Sequence, residues 1–119
     1  MQFRLTDVTC GLSTVGNGAL AYDVPSGRRA CTAEVVVRNL GPATHVLPWQ
    51  YLHDADGKGY ASNARLAPAL GRPPLEGRTL ARGDVLRGAL VWELPEGVAP
   101  VDVEVHSDLF TLGVRRRLR

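Results

Sequence analysis

The chain has 119 residues, 45% of them hydrophobic and 22% charged, with a formal net charge of +2. That length suits one domain, residues 1–119, able to bury a core without a metal or a dense disulfide net. The small net charge excludes bulk electrostatic attraction to nucleic acid or anionic lipid. No run of 18 apolar residues is present, which excludes a membrane-spanning helix.

Phe3, Leu5 and Val8 mark a first strand, Gln2 to Cys10. A loose segment follows to Arg29, with a short strand expected around Ala19 to Tyr22. Ala30 to Leu40 reads as a long strand, because Cys31, Ala33, Val35 and Val37 alternate with Thr32, Glu34, Val36 and Arg38. Asn39-Leu40-Gly41-Pro42 ends it, since proline cannot donate to a ladder. Thr44 to His53 is predicted as the next strand, with Pro48 at an edge or bulge. Trp49 and Tyr51 share one of its faces, and Gln50 and Leu52 the other. Asp54-Ala55-Asp56-Gly57 reads as a hairpin turn, returning through Lys58 to Asn63.

Arg65 to Gly83 is the least regular part, rich in Pro and Gly. A loop of this length in a small domain is functional or mobile. Helical spacing of Leu66, Leu70 and Leu75 is weakened by the intervening prolines. Asp84 to Leu94 is a strand, closed by Pro95-Glu96-Gly97. Val101, Val103 and Val105 alternate with Asp102, Glu104 and His106 in the next. A corner at Ser107-Asp108 precedes a last strand near Gly113 to Leu118.

Seven or eight short strands with one apolar face each point to an all-β, antiparallel two-sheet sandwich. Trp92 is its expected core anchor. Thirteen Gly and eight Pro, mostly between the apolar runs, supply the turns such a fold needs.

Cys10 ends the first strand and Cys31 opens the second strong one. A disulfide between them would close a loop of about twenty residues and contribute roughly 3 kcal/mol by constraining the unfolded chain. Two buried free thiols are the alternative. Pairing is favoured, and it would imply an oxidising compartment. The start of the chain lacks a basic region followed by an apolar one, so no signal peptide is read. The chain is then either cytoplasmic or a mature domain from a longer exported precursor.

No catalytic constellation is legible. His45, His53 and His106 lack metal-ligand spacing and read as solvent-facing strand residues. Ser13, Ser26, Ser62 and Ser107 sit in no nucleophile elbow. Asp54, Asp56 and Gly57 resemble the opening of a calcium loop but lack its later oxygen ligands. Arg115, Arg116, Arg117 and Arg119 read as a charged edge strand that resists aggregation. No interleaved aromatic set accompanies them, so single-stranded nucleic acid is not expected.

Several stretches, taken in order, resemble a family of unknown function found in exported proteins of Gram-positive bacteria, especially actinobacteria. They are Cys10 with Cys31, Ala33 to Gly41, Leu52 to Tyr60, Leu80 to Gly83, Gly88 to Pro95, and His106 to Phe110. The resemblance implies an immunoglobulin-like β-sandwich, similar to that of the mycobacterial immunoprotective extracellular protein. It also implies export to the extracellular space or cell envelope, with an export signal or a membrane tether ahead of the domain, and a binding or structural role without cofactor or catalytic residues. Protein–protein contact is the expected activity, through Arg65, Leu70, Arg72 and Leu75 with Trp49 and Tyr51. A small-ligand or Ca²⁺-binding module is the alternative.

Overall fold

The computed structural model describes residues 1–106 and 114–118. Its strands are β1 (Gln2–Leu12), β2 (Thr14–Val15), β3 (Tyr22–Asp23), β4 (Arg28–Arg38), β5 (His45–Val46), β6 (Tyr51–Asp54), β7 (Gly59–Ala61), β8 (Thr79–Leu80), β9 (Val85–Pro95), β10 (Pro100–Val105) and β11 (Val114–Arg117). Among the described residues, seven of them build two principal antiparallel sheets, ordered β1-β4-β9 and β11-β10-β6-β7. The chain passes from one sheet to the other after β4, β7 and β9, as in an immunoglobulin-like sandwich. The expected corner at Ser107-Asp108, the motif through Phe110 and Arg119 lie outside the described residues.

The alternation in the sequence sets the layers. Cys31, Ala33, Val35 and Val37 of β4 face Leu52 and Val103 of the other sheet, and Leu90, Trp92 and Leu94 of β9 complete the interior. Trp92 is fully buried, and its indole N–H donates to the Gln50 carbonyl at 3.1 Å, so its polar edge is satisfied inside the core. β9 is buried on both faces from Gly88 to Trp92. A second cluster explains this: Val91 and Ala30 on the outer face are covered by Val15 and Leu66.

Three elements differ from the sequence reading. The strand expected over Thr44 to His53 is split into β5 and β6. Pro48 has no N–H to give, and Leu47 bonds instead to Arg78 (2.9 Å) and Gly77 (2.8 Å). The chain thereby changes partners, from β8 to β10. The short strand expected at Ala19 to Tyr22 is a 3-10 turn, Gly18–Leu20, entered through a glycine at φ 74°, followed by β3.

The third is Ala64–Leu70, which forms a 3-10 turn despite Pro68. Asn63 caps it through a side-chain bond from the Arg65 N–H at 3.0 Å. So short a turn needs few internal donors, so the proline is accommodated.

Leu75 belongs to the core and not to a contact surface: it is 2% exposed. Residues 73–75 run along the free edge of β9, with Pro74 bridged to Ala89. A Cβ on Gly88 would come within 2.8 Å of both the Leu75 side chain and the Pro73 carbonyl oxygen. The missing side chain is what lets this segment cover the edge.

Candidate functional site

The described structure has two places where functional side chains gather. The first is the end of the sandwich where the β4–β6 and β8–β9 connections meet. Buried Asn39 joins them: its amide donates to the carbonyls of Ala43 (2.7 Å) and Leu80 (3.1 Å), and its oxygen accepts from Gly41 N–H (3.1 Å). Gln50, 2% exposed, ties the chain between β5 and β6 to the end of β10. Its amide nitrogen donates to the carbonyls of Pro48 (2.9 Å) and His106 (3.1 Å), and its oxygen accepts the His106 N–H. Trp49, next to the held Gln50, is 52% exposed; Leu40 and Val85, beside Asn39, and Val46 of β5 are exposed too.

The second is the outer face of the four-stranded sheet. The register sets Asp102 opposite His53 and Glu104 opposite Tyr51. His53 Nδ1 lies 3.0 Å from Asp102 Oδ1, and its Nε2 lies 3.6 Å from Glu104 Oε1. Glu104 also meets His106 Nε2, and the His106 ring stands edge-on to Tyr51 at 6.0 Å between centroids. The reading of these histidines as solvent-facing is corrected: His53 is 9% exposed and His106 is half-buried. Forty-nine residues separate His53 from Asp102, so no local spacing reveals the pair; only the strand register does.

Chemically, His53 with Asp102 has the form of a base and its orienting carboxylate. Ser62 is buried, and its hydroxyl accepts the Gln50 N–H at 3.0 Å. Among the described residues no group of three or more His, Cys, Asp or Glu is arranged to hold a metal ion. At the hairpin turn, Asp54 Oδ1 accepts the N–H groups of Asp56 and Lys58, both at 2.9 Å, and Oδ2 accepts the Tyr60 hydroxyl at 3.2 Å. Desolvation pushes the Asp54 carboxyl up, but these donors and the Lys58 charge outweigh it and hold the group below its ordinary value. Desolvation and the facing Asp54 carboxylate raise the Tyr60 hydroxyl. A hydrogen bond to Glu93 and partial desolvation raise the Tyr22 hydroxyl.

The six residues read as one contact surface are dispersed. Trp49 and half-buried Tyr51 belong to the loop end and the sheet beside it. Arg65 and Leu70 lie on the 3-10 turn that covers Ala30 and Val91. Arg72 is exposed and pairs with Glu34 at 2.7 Å. Leu75 is in the core. Cys10 and Cys31 are joined as a disulfide between β1 and β4. Leu40, Val46 and Val85 were not legible as surface residues, because an apolar residue at a strand end reads as core.

No family model matches the chain, and no curated protein does. Among solved structures it is similar to an uncharacterized β-sandwich protein from Clostridium difficile 630. The two share 8% identity at a TM-score of 0.56, over 98% of this chain and 84% of that one. At that identity the likeness speaks for the sandwich fold alone.

Proposed function

We propose that this chain is a non-catalytic β-sandwich module that acts by protein–protein contact through its loop end. The observation that carries the reading is the exposed indole of Trp49 next to the locked Gln50, with Leu40 and Val85 exposed beside buried Asn39 and Val46 exposed on β5. Water-exposed apolar side chains on a rigid support are what an interaction surface consists of. Aromatic anchors lose little conformational freedom on docking. The disulfide supports an oxidising compartment, outside the cell or in its envelope. The order of motifs, which resembles that of exported Gram-positive domains, favours the same placement.

The test is capture from an envelope extract of the source cells on immobilised protein, compared by quantitative mass spectrometry. A protein enriched by the wild type and by Arg65→Glu, but lost with Trp49→Glu, supports the reading. Equal capture by all three overturns it. A thermal-shift screen with Ca²⁺ and small metabolites addresses the small-ligand alternative: a rise in melting temperature that saturates with ligand would replace contact with ligand binding.

A further inference from the structure

The outer face of the β1-β4-β9 sheet carries a set of arginines. The register aligns Arg4 of β1, Val36 of β4 and Arg87 of β9 in one row. Arg38 lies two residues along β4 from Val36, on the same face. At the usual strand spacing the backbones at Arg4 and Arg87 stand about 10 Å apart. All three arginines are exposed, and among the described residues none is in an ion pair. The neighbouring acid on this face, Glu34, is already held by Arg72 at 2.7 Å. Among the described residues, these three cations stand together with no carboxylate of their own, Glu34 being paired with Arg72, on a chain whose overall charge is only +2.

The surface beside them is not flat. One hollow of about 320 Å³ is lined by Arg4, Val36 and Arg38. A second, of about 210 Å³, is lined by Arg4, Val36 and Arg87 together with the paired Glu34 and Arg72. Arg4 and Val36 are common to both, so the hollows adjoin across the sheet.

We propose that this face docks an acidic peptide segment of a partner protein, its carboxylates taken by Arg4, Arg38 and Arg87. Guanidinium forks match carboxylates in shape as well as charge. The Glu34–Arg72 pair is the same chemistry already formed on this face. A trough suits a narrow chain better than a planar bilayer. The described hollows hold no aromatic pair on which nucleic-acid bases could stack. This face borders the loop end, since Arg38 is paired with Val85; Trp49→Glu therefore tests the loop end and Arg4→Glu/Arg87→Glu tests this face.

The experiment is fluorescence anisotropy at low salt with a fluorescein-labelled octaglutamate peptide and an octaglutamine control. The expected result is binding of octaglutamate alone, weakened at least about tenfold in Arg4→Glu/Arg87→Glu and weakened by added salt. Arg65→Glu and Trp49→Glu bind as the wild type does. If the charge-reversed protein misfolds by circular dichroism, Arg4→Gln/Arg87→Gln takes its place, with a smaller loss in the same direction. Absence of octaglutamate binding overturns the proposal, as does equal binding by the double variant. Co-sedimentation with phosphatidylglycerol vesicles without peptide binding assigns the face to a membrane and overturns it too.

Discussion

Replacing Gln50 tests whether the loop end is a fixed frame. In Gln50→Ala three side-chain hydrogen bonds disappear: two donated to the carbonyls of Pro48 and His106, and one accepted from the His106 N–H. At about 1 kcal/mol net each, the loss is about 3 kcal/mol. For a chain of this length that lowers the melting temperature by about 10 °C or more. Gln50→Leu, which fills the space but bonds to nothing, should lose as much. Gln50→Glu keeps the acceptor but turns a carboxylate toward two carbonyl oxygens. Burial and those oxygens raise its folded pKa above the unfolded value. Such a group adds stability below the unfolded pKa, near 4.3, and loses it as pH rises through the folded pKa. The deficit of this variant against wild type should therefore grow as pH rises above about 4. Urea unfolding followed by circular dichroism measures both quantities. A Gln50→Ala protein within about 1 kcal/mol of wild type would refute the reasoning, as would a Gln50→Glu deficit independent of pH.

Reducing the Cys10–Cys31 bond, whose partners are 21 residues apart, should cost about 3 kcal/mol, seen as a lower melting temperature in reductant that does not appear in a Cys10→Ala/Cys31→Ala variant. Gly88→Ala should cost about 1–3 kcal/mol, because the new Cβ meets a backbone oxygen that cannot step aside; a chemical-denaturation curve matching wild type would contradict the edge cover assigned to residues 73–75. Asp54→Asn should be less stable than wild type at neutral pH. The Asp54 carboxyl is held below its ordinary value, so its contribution is present above the unfolded pKa of about 3.9 and is lost as pH falls through the folded value. The two melting curves should converge in acid.

The layers of this molecule follow from period-2 alternation. Ala33, Val35, Val37, Leu52 and Val103 are buried where the pattern places them, because a pleated strand has only two faces. Trp92 is the core anchor for the same reason. Turn chemistry was equally legible at Asp54 to Gly57, where the carboxylate closes the turn on its own backbone. Pro48 was legible as an irregularity, but not as the point where the chain exchanges β8 for β10. That exchange depends on bonds to Arg78 and Gly77, about thirty residues away. Leu75 sits in the least regular segment of the sequence, and its burial depends on a single absent side chain at Gly88. The pairing of His53 with Asp102 is likewise a product of register between distant strands. The candidate surfaces were the least legible part. Which arginines share a face with Arg4, and which apolar residues stay wet, is decided by tertiary pairing.

Site-specific photo-crosslinking in the source cells tests contact through the loop end most directly. A benzophenone side chain is placed at Val46, and in a second protein at Leu20, which is exposed on the separate Gly18–Leu20 turn. A discrete adduct with one protein from position 46, and none from position 20, is the expected result. The same adduct from both positions, or none from either, would contradict it.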